Sequence, residues 1–441
     1  MSIHAAAHIP GPGVRRRRPW IALLLAAAGS VAMASELAPL PEPLQLADAL
    51  ALASPELPAL RLAAAERDAS AASLTEAQSL TGFQVSAEGR LQVIEPSSLA
   101  LNRDRNDSSA RVALRKRLYD FGYSEALEEA ARLAGDGSEW RELSARQSAR
   151  LEIMRSFFDV VLADLQFARD NEAMAGAFID ADRARDRHEL QRISDVALLE
   201  LEAAYQQALR LRMETQSMQR LARSRLAIAM GRPGELVATV VPPAPPDLSR
   251  PVPEFELLLE DVLANNPLRK ALKADVESAR AELSAARNSF GPVVSGEVEA
   301  AAYERKTNST HPFTAALVLE VPLFSGGADD AAVAAARARL QGSQARLAMH
   351  DNKLREQVLE TWLQLDNLRV TLKGLGVRGE YRELYLDRSR ALYELEVKTD
   401  LGDAMTEISA LRLDEARAQF DWQMAQARIK ALAGRLLMEE R

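Results

Sequence analysis

The sequence predicts a mainly α-helical protein with a small β part, built from one strand-and-helix unit present in tandem duplicate. Three observations predict this fold class. Matching motifs recur at a constant spacing, four segments alternate apolar and polar residues, and apolar residues on the longest segment follow a seven-residue repeat. Together they predict long antiparallel coiled-coil helices joined to four strands of membrane-spanning length.

The duplication is clearest where a strand passes directly into a long helix. The stretch FTAALVLEVPLFSGG ends at Gly327 and an Ala/Arg-rich helical segment follows; the same event occurs 205 residues earlier, at Gly122. Ser194-Asp195 and Thr399-Asp400 are also 205 residues apart. A constant offset between whole motifs is typical of a tandem repeat. The predicted strand-to-helix junctions are marked by Leu118, Gly122, Pro322, Leu323, Gly326 and Gly327.

Composition excludes several classes of function. The 441 residues contain no cysteine, which excludes disulfides, thiolate metal sites and cysteine nucleophiles. The formal net charge is −8, and it becomes −12 once the four arginines at 15–18 are set aside. An acidic chain argues against a nucleic-acid partner, which needs a basic face.

Residues 1–34 are predicted to be a secretory signal peptide. Arg15 to Arg18 form a basic region, residues 21–28 form a short apolar run, and Ala32-Met33-Ala34 fits a cleavage site. A membrane anchor is the alternative, but the apolar run is too short to span a bilayer. The arginines leave a twin-arginine signal open.

The two copies are predicted to follow the same order of elements. Each has a helix, a β-hairpin, a long helix, a tip and a return helix. Gly135 and Gly137 are expected to mark a local irregularity in the first long helix. The first repeat covers 35–231, with hairpin 82–118, long helix 124–190 and tip 191–195; a Pro-rich linker covers 232–253; the second repeat covers 254–441, with hairpin 293–321, long helix 328–393 and tip 394–400.

Four strands from one chain cannot close a barrel. An open sheet edge is not tolerated in lipid, because its backbone polar groups would lack partners. A small closed barrel has eight or more strands, so at least two chains are needed, and three chains would supply twelve. The loops at 95–108 and 304–312, which are polar and lie between these strands, are expected to face the outside of the cell.

On these features the chain resembles the TolC-like outer-membrane efflux proteins, from about Leu46 to Leu437. The resemblance rests on the two-copy layout, on the VPLFSGG junction at 321–327, and on Ala416-Arg417, Phe420 and Ala425 in the last helix. It implies a homotrimer with a 12-stranded β-barrel in the outer membrane of a Gram-negative bacterium, above a periplasmic α-helical tunnel. It also implies the exit duct of a tripartite efflux or type I secretion system, with a periplasmic adaptor protein and an inner-membrane RND or ABC transporter as partners and no cofactor.

The tips between the long helices and the return helices are the predicted adaptor-docking sites. The family's tips usually read Y-x-x-G before Ser or Thr, whereas His188 with Gln191, and Tyr393 with Glu396, stand at those positions here. The docking residues are Gln191, Arg192, Ile193, Ser194, Glu396, Val397, Lys398 and Thr399. The resemblance further implies a periplasmic entrance gate, which Asp195, Asp400 and Asp403 approximately match.

Other classes of function fit less well. After the signal peptide the sequence has only His188, His311 and His350, and it has no HExxH, P-loop or GxSxG motif, so an enzyme is disfavoured. A periplasmic coiled-coil scaffold anchored to the outer membrane remains an alternative, although a scaffold needs no membrane-length strands. A general porin is disfavoured because most of the chain is helical.

Overall fold

The computed structural model describes residues 39–52, 56–249, 251–307, 310–395 and 401–436, and these form a mainly helical fold with one small sheet. In the order of the chain, its elements are α1 (Leu46–Ala51), α2 (Pro58–Ser79), β1 (Phe83–Arg90), β2 (Ser109–Tyr119), α3 (Tyr123–Glu189), α4 (Asp195–Ala229), α5 (Phe255–Asn265), α6 (Pro267–Asn288), β3 (Val293–Tyr303), β4 (Phe313–Glu320), α7 (Ala328–Glu394) and α8 (Leu401–Leu432).

The two long helices are equal in length. Both α3 and α7 contain 67 residues, and both their first and last residues are 205 apart. At ~1.5 Å rise per residue each helix is roughly 100 Å long. The predicted irregularity at Gly135 and Gly137 is wrong, because α3 is helical throughout.

Gly137 serves packing between helices instead. A Cβ atom at this position would lie 3.3 Å from the Oδ1 atom of Asp275 and 3.4 Å from the backbone oxygen of Ala271, both on α6. A larger residue would therefore push the two helices apart, since protein interiors are close-packed. Arg141, one turn further along α3, forms an ion pair with Asp275. The small residue and the ion pair together hold α6 against α3.

The sheet joins the two copies. Its strand order is β1-β2-β3-β4 and every neighbouring pair is antiparallel, so β2 of the first copy pairs with β3 of the second. β1 ends at Arg90, whereas the alternation in the sequence continues to Val93. Beyond Arg90 only Val93 forms a bridge, with Asn106. The sheet therefore leaves β1 and β4 as its two edges.

The main apolar core lies where α3, α4 and α8 meet. The ring of Phe158 on α3 stacks on that of Phe420 on α8, with centroids 4.5 Å apart, and Ile153, Phe157 and Leu226 are fully buried beside them. Each such side chain contributes ~1.5–3 kcal/mol through burial. Only the central part of the seven-residue apolar pattern on α3 faces this core.

The Pro-rich segment between the copies folds back onto the helices. Leu44 pairs with Val240 in a parallel bridge and is fully buried, and its backbone N–H donates to Thr239 O at 3.0 Å. The Arg223 guanidinium donates to both carboxylate oxygens of Asp164, at 2.8 and 2.9 Å, and to Val237 O at 3.1 Å. These contacts cover one side of the apolar core.

Candidate channel elements: the sheet, the junctions and the tips

The sheet has one apolar face and one polar face. Because side chains alternate along a strand, the register fixes which residues share a face. The apolar face carries Phe83, Val85, Ala87, Val112, Leu114, Val298, Ala315, Leu317 and Leu319. Lys116 lies at one end of this face, with its Nζ atom 4.5 Å from the centre of the Phe83 ring. The polar face carries Gln84, Glu88, Arg90, Arg111, Arg115, Arg117, Glu297, Glu299 and Glu320.

Charges on the polar face are paired across strands. Arg111 on β2 forms an ion pair with Glu88 on β1, and Arg115 lies 2.5 Å from Glu297 on β3. Opposite charges directly across a strand pair stabilise a sheet and fix its register. The two faces thus suit two environments, one of them apolar and one aqueous.

Both strand-to-helix junctions use left-handed backbone conformations. Gly122 has φ +87° and Gly327 has φ +90°, each immediately before a long helix. The preceding residues, Phe121 and Gly326, have φ +55° and +67°. Glycine adopts such angles without steric cost, whereas phenylalanine does not. Sequence reasoning missed Phe121, although the 205-residue offset to Gly326 could have identified it.

A carboxylate caps each junction. The order of the carboxylate and its serine partner along the chain is reversed between the two copies. In the first copy Asp120 accepts hydrogen bonds from the hydroxyl and the backbone N–H of Ser124. In the second copy the serine comes first, at Ser325, and its hydroxyl donates to Asp329, four residues later. Ser325 lies 205 residues after Asp120, and Asp329 lies 205 after Ser124. Each capping carboxylate therefore lies near a helix N-terminus, where negative charge is favourable.

The surroundings of the two junctions differ. Asp120 is buried and its carboxylate also accepts a hydrogen bond from Arg117 at 3.1 Å. Burial raises the pKa of Asp120, but the hydrogen bonds from Ser124 and Arg117 outweigh burial and leave the pKa below its usual value. At the second junction Leu323 is 89% exposed and Phe324 is 88% exposed.

The first tip is a helix-ending motif that normally contains glycine. Gln191 has φ +55°, its backbone N–H donates to His188 O, and the backbone N–H of Arg192 donates to Arg187 O, both at 2.8 Å. This hydrogen-bond pattern is a Schellman motif, whose left-handed residue is usually glycine. Gln191 therefore occupies the place of the family's glycine and adopts its conformation.

The return helix after the first tip begins with a side-chain cap. The Ser194 hydroxyl accepts a hydrogen bond from the backbone N–H of Ala197 at 3.3 Å. His188 Nε2 lies 2.6 Å from Asp195 Oδ1, which joins the two helices across the turn. Arg192 is exposed and Ile193 is half-buried.

Only part of the second tip lies within the described residues. Leu395 ends α7 with φ −84° and ψ 4°, close to the −81° and 8° of Leu190, which ends α3. Asp403 is exposed in the first turn of α8. The predicted residues Glu396, Val397, Lys398, Thr399 and Asp400 lie outside the described residues.

The described residues contain neither a membrane-spanning helix nor a metal-binding group of side chains. Among the described helices, none combines the length and the apolar character needed to cross a membrane. Within the same part of the chain, no group of three or more His, Asp or Glu side chains is arranged to hold a metal ion.

This arrangement is the fold of outer membrane channels. The Campylobacter jejuni CmeC outer membrane channel is 14% identical, with a TM-score of 0.72 over 90% of this chain and 87% of that one. The outer membrane protein VceC of Vibrio cholerae is 16% identical, with a TM-score of 0.70 over 89% and 96%. The open state of the Neisseria gonorrhoeae MtrE outer membrane channel is 19% identical, with a TM-score of 0.65 over 89% of each chain.

The sequence match to a family is confined to the second copy. Residues 258–435 match the family model described as outer membrane efflux protein, and no curated protein matches the sequence. Residues 258–435 are thus similar to the outer membrane efflux protein family, and the resemblance predicted from the sequence is confirmed.

Proposed function

We propose that three copies of this chain form the exit duct of a tripartite efflux or type I secretion system in the outer membrane of a Gram-negative bacterium. The duct would carry substrates across the periplasm and the outer membrane and catalyse no reaction. The observation that carries the proposal is a two-faced sheet with two free edges, continuous with two helices of 67 residues.

The edges support assembly from several copies. Within the described residues β1 and β4 each pair on one side only, and a free edge in lipid leaves backbone N–H and C=O groups without partners. Pairing β1 of one copy with β4 of the next removes every edge. Three copies then give a 12-stranded barrel, with the apolar face toward lipid and the charged face toward an aqueous interior.

The second junction offers a way to test assembly. Leu323 is almost fully exposed in one protomer, which is unfavourable for leucine unless another surface covers it. We expect Leu323→Asp to lower the fraction of trimer measured by native mass spectrometry in detergent. The matched control is Leu101→Asp, since Leu101 is 98% exposed in the loop between β1 and β2. A monomeric wild-type protein, or equal effects of both variants, would contradict the trimer.

The orientation can be tested by labelling intact cells, since the chain has no natural cysteine. Asn102 is unsuitable because its side chain holds the two outer loops together, donating to Lys306 O at 3.1 Å. Leu101→Cys should react with a membrane-impermeant thiol reagent on intact cells. Arg192→Cys, at the opposite end of the molecule, should react only after the envelope is broken. The reverse pattern would refute the orientation.

The tips are proposed to dock the periplasmic adaptor and to gate the entrance, with an RND or ABC transporter in the inner membrane. Ile193 supports this role because it is a half-buried apolar residue at the end of a helical hairpin. Ile193→Asp should abolish export in a complementation assay while the trimer stays intact. Wild-type export would contradict docking at this tip. The gate role of Asp195, Asp400 and Asp403 is tested by conductance of their alanine variants in planar bilayers.

The periplasmic scaffold remains the second candidate. A scaffold would be found in the envelope but would not conduct ions. Reconstitution of the purified protein in planar bilayers separates the two functions, because a duct produces discrete conductance steps and a scaffold produces none.

A further inference from the structure

A polar cavity of about 280 Å³ lies in the helical wall where the long helices meet two shorter ones. Gln147 on α3, His350 and Lys353 on α7, Asn266 before α6 and Arg428 on α8 all line it. Asn266 also bridges the two shorter helices, because its Nδ2 atom donates to Leu432 O at 2.9 Å. We name this cavity, lined by these residues, the equatorial cavity.

Gln147 has an unusual environment in this cavity. Its side chain is only 2% exposed, yet neither its Oε1 nor its Nε2 atom has a hydrogen-bond partner among the described residues. Burying an amide without partners is unfavourable, and most buried polar side chains in native proteins are paired. An amide N–H that lines a polar cavity and lacks an acceptor points to a ligand that would accept its hydrogen bond.

The charges around the cavity are positive. Lys353 and Arg428 line it, and neither forms an ion pair within the part of the chain that the structure describes. None of the lining residues is acidic. Asp351, which is adjacent to His350 in the sequence, is already paired with Arg269 at 2.6 Å.

Neither His350 nor a neighbouring cavity changes the positive charge around the equatorial cavity. Burial lowers the pKa of His350, so its ring is neutral, and its Nε2 atom lies 3.2 Å from Asn266 Oδ1. Arg428 also borders a second cavity that contains Asp159 and Asp421. No ion pair joins Arg428 to either carboxylate in the described structure, and burial raises the pKa of both.

We propose that the equatorial cavity binds a small oxyanion, phosphate or carboxylate, held by Lys353, Arg428 and the amide of Gln147. Both cations can donate charge-assisted hydrogen bonds to anion oxygens, and Arg428 can do so with two parallel N–H groups. The Gln147 Nε2–H donates to the same anion.

On α8 the cavity and the inter-repeat segment lie on different sides of the helix. Trp422 and Ile429 pack against the inter-repeat segment through Leu248 and Val252. Arg428, which lines the cavity, lies roughly 120° around the helix from Trp422, because each residue turns an α-helix by about 100°.

Isothermal titration calorimetry on the full-length protein in detergent tests the site. Sodium phosphate and sodium acetate are titrated at constant ionic strength, with sodium chloride as the reference anion. We expect binding of phosphate, and Lys353→Gln and Arg428→Gln should each weaken it by about tenfold or more, as loss of a hydrogen bond between charged groups does. Acetate binding in addition would extend the site to carboxylates, and binding of phosphate alone would restrict it to phosphate.

Two further variants keep the test specific. Arg355→Gln removes a positive charge two residues from Lys353 on the same helix but outside the cavity, and it should leave phosphate binding unchanged. Gln147→Leu should weaken phosphate binding and raise the melting temperature in chloride, since an unpaired amide is removed. No phosphate binding above the chloride reference, equal effects of Lys353→Gln and Arg355→Gln, or a stabilised Gln147→Leu with unchanged binding would overturn the proposal. None of these readouts depends on oligomeric state or export, so failure here is distinct from failure of the proposed duct.

Discussion

The two strand-to-helix junctions share a backbone conformation but differ in what surrounds them. At both, a left-handed glycine precedes a 67-residue helix and a serine–carboxylate pair caps its first turn. The first junction is completed within its own chain, since Asp120 is buried and Gly122 faces Asn288 of α6. The second junction is open, and among the described residues no atom outside those adjacent to Gly327 lies within 4 Å of where its Cβ would be. Duplication preserved the turn, whereas packing around it diverged.

The largest expected effect concerns the buried cap. We expect Asp120→Ala to lower the free energy of unfolding by ~2 kcal/mol or more, because it leaves the buried Ser124 hydroxyl and backbone N–H without their acceptor. Asp329→Ala removes the corresponding cap at the second junction and should lower the free energy of unfolding clearly less. Guanidinium-induced unfolding of the detergent-solubilised protein measures both. Equal losses would mean that burial does not distinguish the two junctions.

Acid should reduce the contribution of the Asp120 cap to stability. Because the pKa of Asp120 is lower in the folded protein than its usual value, its contribution to stability is present above a pH of about 4 and is lost as the pH falls toward the folded-state pKa. Wild type and Asp120→Asn should therefore converge in melting temperature below about pH 4. A difference that stays constant down to pH 2.5 would show that the ionised carboxylate is not the source of the stability.

The glycines should behave alike despite their different surroundings. Gly122→Ala and Gly327→Ala should each destabilise by ~1 kcal/mol, because both impose a Cβ atom on a left-handed backbone. Gly342→Ala within α7 is the control and should stabilise by about 0.5–1 kcal/mol, since alanine favours a helix interior. A much larger loss at Gly122 alone would assign the cost to contact with Asn288 instead of to the backbone.

The smallest expected effect lies at the first tip. Gln191→Gly removes the side chain from a residue at φ +55°, which favours the folded state, but it also increases the freedom of the unfolded chain. We expect a net stabilisation of less than about 1 kcal/mol, measured by thermal unfolding. Gln206→Gly within α4 is the comparison and should destabilise, because its backbone is helical. Destabilisation by Gln191→Gly would show that contacts of the glutamine side chain outweigh backbone strain.

Sequence periodicity and the repeat predicted the mainly helical fold with its small sheet, because both depend on local residue order. They could not predict where pairing stops in β1, which depends on the partner strand, nor that Gln191 adopts a left-handed conformation that favours glycine. The left-handed conformation of Phe121 was missed, although the repeat aligns this residue with Gly326. The irregularity predicted from Gly135 and Gly137 was wrong, since a glycine can also mark close contact between helices. The equatorial cavity was equally inaccessible, because Gln147, Lys353 and Arg428 come from three separate helices.

Because α3 and α7 are equal in length, they extend the same distance from the sheet. β2 and β4 end beside Val294 and Val293 of the strand between them, so both helices start from the same edge of the sheet. An insertion of seven residues in one helix alone would displace its tip by about 10 Å along the axis relative to the other. Changes in the length of such a protein are therefore expected to occur in both long helices together. In a hybrid with long helices of different length, the two tips would lie at different levels and could not both contact a flat partner surface.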